Sequence, residues 1–326
     1  MKRPKAEYGG YLPLELNPGS EYFEGYSERL LRFNSVKAAF DHILRRTKPD
    51  KVFVPLYYCP STTEALLRSG IPVRYYHIQE NLLPEQLPDD PGTLVLLVNY
   101  FGVIDDAIKA TAHSFQNATV ILDQAHGFFC PPIMSGGVFN VYSARKFFGV
   151  PDGAYAIGEC IYGEQPEEHL AGPTAYYLMK SYEQGTNAAY EEKKQADADI
   201  SAEYASMSRL AIGLLKNVDY DRVQTRRLQN FAAFHAALAS RNGLAFSGSA
   251  PAYVYPFLCE NGKALKAKLV SGRIYVSTLW TSELLSQSGN AFEHSMSDNA
   301  VFLPIDQRYG DDDIAFMIHV LEDCLG

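Results

Sequence analysis

Six short apolar runs, each stopped by turn residues, occupy the first half of the sequence. They are Lys51–Pro55 (KVFVP), Val73–Ile78 (VRYYHI), Thr93–Tyr100 (TLVLLVNY), Thr119–Gln124 (TVILDQ), Val138–Ser143 (VFNVYS) and Ala154–Gly158 (AYAIG). Strands without polar alternation suit a sheet covered on both faces. Helical patterns at 36–46, 61–69 and 105–114 lie between them. Strand–helix alternation over this length predicts an α/β fold with a mostly parallel sheet.

Beyond Gly158 the character changes. Residues 163–200 are polar and charged, with no clear strand. Long helices are expected over roughly 201–217 and 220–240, the second carrying Leu228, Phe231, Ala232 and His235 at helical spacing. Arg241-Asn242-Gly243 then reads as a helix stop. The remainder predicts strand, helix, strand, strand, helix: AYVYPFL, GKALKAKLV, RIYVSTLW, NAVFLPI and DDDIAFMIHVLEDCL. Three aspartates at 311–313 stand where a helix N-terminus favours negative charge. The expected division is a large α/β domain over 1–215, then an interdomain helix and a small α+β domain over 216–326.

Charge and composition remove whole classes of function. The net charge is −9 with no run of Lys and Arg, which disfavours a surface that tracks nucleic-acid phosphates. No stretch approaches the ~18 apolar residues of a membrane span, and the first residues lack a signal peptide's apolar core. Five scattered cysteines suggest reduced thiols in a cytoplasmic protein, not a disulfide framework or a zinc site. Signatures of dinucleotide, P-loop, zincin and nucleophile-elbow enzymes are missing, and the eight histidines show no metal spacing.

The chemistry concentrates in Val120–His126 (VILDQAH) and Phe139–Gly153 (FNVYSARKFFGVPDG). Asp123 ends an apolar strand, so its carboxylate falls at the strand's carboxyl edge, where ligands of open α/β sheets bind. An acid there suits a cationic ring nitrogen, the partner that pyridoxal phosphate (PLP) needs to act as an electron sink. Lys146 follows the next strand by three residues. A nucleophilic lysine must shed its proton, and the adjacent cation Arg145 is expected to help. Ser143 offers a hydroxyl to an anion. Lys37, in the first turn of a helix where the dipole disfavours a cation, suggests an anion held there with Ser35.

The order Asp-x-x-His, Ser-x-x-Lys and a glycine-containing exit into a strand resembles the fold-type I PLP transferases, and within them the DegT/DnrJ/EryC1 sugar aminotransferases. Further stretches resemble that family in the same order: Phe33–Phe40 (FNSVKAAF), Phe53–Pro60 (FVPLYYCP), Val98–Gly102 (VNYFG), Ser206–Leu215 (SMSRLAIGLL) and Phe302–Asp306 (FLPID). The likeness spans about residues 30 to 326. Val36-Lys37 depart from it where the family carries a Gly-Thr or Gly-Arg pair.

The resemblance implies a large domain with a seven-stranded, mostly parallel sheet between helices. It implies Lys146 as the Schiff-base lysine, Asp123 on the pyridine nitrogen and His126 over the ring oxygen. Ser35, Val36, Lys37 and Ser143 are then candidates for the phosphate, and the position that stacks on the ring falls near Cys59, with Tyr58 or Tyr57 to supply the aromatic. It further implies a homodimer, with 163–200 as a cross-subunit segment, and transfer of an amino group, from glutamate, to a nucleotide-linked keto sugar. A lyase or dehydratase of the same fold stays open, as does a catalytically silent relative with a binding or regulatory role.

Overall fold

The apolar runs assemble into one sheet whose carboxyl edges gather the chemically informative residues. In this computed structural model, which describes residues 10–246 and 251–325, seven strands form it. They are β1 (Leu30–Phe33), β2 (Lys51–Pro55), β3 (Val73–Tyr76), β4 (Thr93–Val98), β5 (Thr119–Asp123), β6 (Val138–Ser143) and β7 (Ala154–Ile157). Their order is β1-β7-β6-β5-β4-β2-β3. Strands β2 to β6 run parallel, while β7 is antiparallel to both of its neighbours. Every residue of β4, β6 and β7 is buried, as two covered faces require.

Helices α1 (Val36–Thr47), α2 (Pro60–Arg68) and α3 (Asp105–Ser114) fill the crossovers. Each begins near a strand's carboxyl end. The Ser35 hydroxyl caps α1 by accepting from the Ala38 N–H at 3.2 Å. The polar segment 163–200 is largely helical, as α4 (Gly172–Gln184) and α5 (Tyr190–Ala202). Most of its charges face solvent and few apolar residues are buried, so no apolar stripe marks these helices in the sequence.

The helix expected over 201–217 is only α6 (Arg209–Leu215). Residues 203–208 are held extended instead. Ser206 bonds to Glu167 and His169 through its backbone, and the Asn34 N–H donates to the Ala205 carbonyl. Ser208 then caps α6. The next helix, α7 (Tyr220–Leu238), forms where expected and packs on β8 (Val254–Leu258) and α11 (Asp311–Leu325). The rest of the C-terminal segment contains α8 (Gly262–Ser271), α9 (Glu283–Ser288), α10 (Ala291–Asn299) and β9 (Ala300–Pro304), with β9 antiparallel to β8.

One expected strand does not form there, while two short helices and β1 form where the sequence predicts none. Arg273–Trp280 (RIYVSTLW) forms no strand; only a bridge from Ser277 to Phe302 touches β9. The reason is Trp280, whose indole is drawn out of the segment into an aromatic box on the main sheet's edge, a large apolar burial that outweighs edge pairing. Helices α9 and α10 are short and held by side-chain caps, the second by a capping box between Asn290 and Glu293. Strand β1 is four residues long and flanked by charge. It joins the sheet by pairing with β7, a partner more than a hundred residues distant in sequence.

Candidate active site

Asp123, His126, Tyr58 and Lys146 meet in one small cavity because each follows, or ends, a strand at the same edge of the sheet. Asp123 is the last residue of β5, in register with Val98 of β4 and Val141 of β6. Tyr58 lies three residues beyond β2, and Lys146 three beyond β6. Val36, Cys59, Thr62, Val98, Ala125 and Trp280 complete the wall, and the cavity measures about 70 Å³.

The Asp123 carboxylate is 5% exposed. One oxygen accepts from the Tyr58 hydroxyl at 2.5 Å and the other from the Ala125 N–H at 2.8 Å. Among the described residues no Lys, Arg or His reaches it within 4.0 Å. Burial pushes its pKa up, opposed by the two hydrogen bonds and by the charge of Lys146. A buried carboxylate without a counter-ion is costly, and such sites favour a cationic ligand. Tyr58, also buried, has its phenol pushed well above the ordinary range by burial and then by Asp123.

His126 is pinned from both ends of its loop. Its Nδ1 accepts from the Phe101 N–H at 3.3 Å. Gly102 has φ +82°, and a Cβ there would stand 2.3 Å from the His126 carbonyl oxygen, so only glycine permits this approach. Three rings lie nearly parallel to the imidazole: Tyr253 at 4.7 Å, Trp280 at 5.4 Å and Phe101 at 5.9 Å between centroids. Burial, and then the charge of Lys146, holds the imidazole well below its ordinary pKa, leaving a neutral ring face.

Lys146 sits in a 3-10 turn, Ala144–Lys146, locked by its neighbours. Ala144, Phe147 and Phe148 are buried in a second aromatic core with Phe23, Phe128 and Tyr142. The turn closes through Ala144 N–H to the Gly153 carbonyl, and Gly153 N–H to Asn34. Gly153 has φ +130°, and a Cβ there would press on Ala144 and Met207 at 3.3 Å. Buried Asp152 ties the turn to α6 by accepting from the backbone and hydroxyl of Ser208. The lysine itself is half-buried. Its Nζ lies 4.9 Å from the centre of the Tyr253 ring and makes no ion pair among the described residues. Arg145 turns away to pair with Asp197 of α5, so the adjacent cation expected from the sequence is neutralised.

The other sequence candidates divide. Val36 and Cys59 line the cavity, and Cys59 also approaches the Ser61 hydroxyl at 3.3 Å. The Ser35 hydroxyl is spent on its cap and on Asn34. Ser143 is buried at the end of β6, and its hydroxyl has no hydrogen-bond partner among the described residues. Lys37 lines a different cleft, of about 660 Å³, with Asp41, Arg45, Lys48, Arg68 and Tyr204. Burial lowers its pKa.

On its other side Lys146 borders a wider cleft of about 400 Å³, walled by Tyr253, Arg273, Tyr275, Arg308 and Tyr309 among others. The lysine thus stands between a small closed cavity and an open one. Trp280 and Tyr253 were not legible as site residues. The available signal was that Trp280 is the only tryptophan in the chain, at the end of a run that reads equally well as a strand.

The strand order and the single antiparallel strand give the chain the fold of the fold-type I PLP enzymes. Among solved structures, it is similar to a DegT DnrJ EryC1 StrS aminotransferase from Brucella abortus, with a TM-score of 0.65 and 16% identity over 93% of this chain and 88% of that one. It is similar to the sugar aminotransferase CalS13 from Micromonospora echinospora, with a TM-score of 0.63 and 15% identity over 92% and 89%. It is also similar to Spr1654 from Streptococcus pneumoniae in its PLP form, with a TM-score of 0.61 and 16% identity over 93% and 90%. No protein-family model and no curated protein matches the sequence.

Proposed function

We propose that this chain is a PLP-dependent aminotransferase of the DegT/DnrJ/EryC1 kind, which transfers an amino group from glutamate to a nucleotide-linked keto sugar. The observation that carries the reading is Asp123: a buried carboxylate, without a counter-ion, facing the same cavity as an unpaired lysine and a neutral aromatic face. That donor set suits the cofactor. PLP, when bound, supplies an electron sink for loss of a proton next to an amino group.

The chain's own residues divide the remaining work. Asp123 would hold a positive ring nitrogen and, by its charge, keep that nitrogen protonated. His126, neutral and fixed, presents a flat face. Lys146 would hold the cofactor through its Nζ, and that Nζ, once released by the incoming amine, would accept and return a proton. Its place between the cavity and the wider cleft gives it access to both. Ser143, with its free hydroxyl, and the backbone N–H groups of Ser35, Val36 and Lys37 at the start of α1 are proposed for the phosphate. The wider cleft, rich in Arg and Tyr, is proposed for the anionic donor and the sugar.

The proposal includes a homodimer. Helix α4 exposes Tyr176, Met179 and Tyr182 at 53%, 56% and 94%, at spacings that leave an apolar stripe for a second copy. It also includes a cytoplasmic location; no helix among the described residues is long and apolar enough to cross a membrane. A domain boundary near 215 is proposed because α7, which follows it, packs on β8 and α11.

The test is the visible absorption of the protein with PLP, before and after L-glutamate. The expected result is a band from lysine-bound cofactor that fades as the aminated cofactor forms, and that never appears in Lys146→Ala. A band that persists with glutamate would move the reading to the lyase alternative. No band at all would favour the silent binding protein.

A further inference from the structure

We propose that Trp280 gates the cofactor pocket: its indole and the pyridine ring contend for one face of His126, so binding requires the segment from Tyr275 to Trp280 to swing away. The inference rests on the PLP reading but adds a residue from the C-terminal segment, outside every motif that carries that reading.

Three observations support it. Trp280 is only 9% exposed although it comes from an irregular stretch between α8 and α9. Its indole lies 10° from the plane of the His126 ring at 5.4 Å, edge-on to Tyr57 at 5.4 Å and tilted against Tyr58 at 5.9 Å. This is the stacked position a planar cofactor ring would take above a neutral imidazole. Second, the cavity left beside the indole is small, about 70 Å³, against about 400 Å³ for the wider cleft on the other side of Lys146. The indole walls that cavity together with Asp123, His126 and Lys146, so its withdrawal enlarges the space these residues share.

Third, the segment is lightly tied, with a side-chain bond from Asn187 to the Tyr275 hydroxyl at 3.0 Å. Tyr275, Ser277 and Thr278 are exposed, and one bridge, from Ser277 to Phe302, joins it to β9. Its inner end is held by the Trp280 stack and by the Tyr57 hydroxyl, which donates to the Leu279 carbonyl. Its outer end begins at Gly272 and Arg273, the latter at φ 65°. The outer face of the segment also lines the wider cleft through Tyr275 and Ser277. Withdrawal of Trp280 therefore reshapes the substrate cleft as it opens the cofactor cavity.

The test is rapid mixing of the whole chain with PLP, followed by the absorbance of lysine-bound cofactor. In the wild type the observed rate should level off as PLP is raised, because opening of the segment limits it. Trp280→Ala should remove the plateau and tighten apparent binding about tenfold, since the competent fraction no longer discounts affinity. Trp280→Phe, which keeps a ring in the box and so protects folding, should fall between. As the chain's only tryptophan, Trp280 also reports on itself. Its emission maximum should move to longer wavelength when an aldehyde-free analogue, 4′-deoxypyridoxine phosphate, binds. Identical concentration dependence in all three proteins, or an unmoved maximum with the analogue bound, would overturn the gate. Absence of bound-cofactor absorbance from every variant would instead remove the PLP reading beneath it.

Discussion

Tyr58→Phe isolates the bond that steadies the buried acid. The substitution removes one hydroxyl and keeps the ring that packs against Trp280. In the wild type that hydroxyl donates to Asp123 at 2.5 Å, with Tyr58 4% and Asp123 5% exposed. A hydrogen bond to a charged group contributes about 1.5–3 kcal/mol, and the loss is full when the acceptor stays buried and keeps only one other donor. Here that donor is the Ala125 N–H. The expected destabilisation is therefore about 2 kcal/mol, or about 3 °C in Tm for a chain of this size. Urea unfolding followed by far-ultraviolet circular dichroism measures it, with the slope expected to stay the same. Added PLP should narrow the gap, because a ring-nitrogen proton would give the carboxylate the donor that phenylalanine lacks. An unchanged midpoint without PLP would refute the energetic argument. A gap that widens with PLP would refute Asp123 as the ring's partner.

Further outcomes follow from the same geometry. Asp123→Asn should cut amino transfer by about 10³-fold or more, because the charge that keeps the ring nitrogen protonated is lost. It should leave the unfolding midpoint equal or higher, since an uncompensated buried charge is removed; a fall in both would make Asp123 structural. His126, held well below its ordinary value of 6.5, binds fewer protons folded than unfolded. Its stabilising contribution is present above pH 6.5 and is lost as pH falls from there through the folded value, by at most about 1.36 kcal/mol per pH unit. His126→Gln should flatten that part of the stability profile between pH 7 and 5, and equal acid losses in both proteins would reject the assignment. Arg227 is 1% exposed, donates to the carbonyls of Ala252 and Tyr253 and to Gln307, and lies 4.4 Å from the Phe147 ring. Burial lowers its pKa to about 10. Arg227→Met should cost about 3–5 kcal/mol by orphaning two buried carbonyls. It should also loosen Lys146 beside Phe147, seen as weaker PLP retention; full stability would contradict this role.

The sequence by itself determined the sheet and the edge of it at which Asp123 and Lys146 stand. Strands without polar alternation can be stable only when both faces are covered, which dictated helices between parallel strands and brought Asp123 and Lys146 to one side. That inference needs only local periodicity and the position of a residue relative to its strand's end. The polar helices α4 and α5 and the four-residue β1 escaped it, because their stability comes from contacts with distant elements and not from their own pattern. Tertiary structure alone decided the rest. It turned Arg145 toward Asp197, spent the Ser35 hydroxyl on a helix cap, and placed Lys37 along a second cleft. It also drew Trp280 from an expected strand into the aromatic box over His126. The reason is common to all four: a side chain's partner is set by which surfaces the whole chain brings within a few ångströms, and neither spacing nor composition carries that distance.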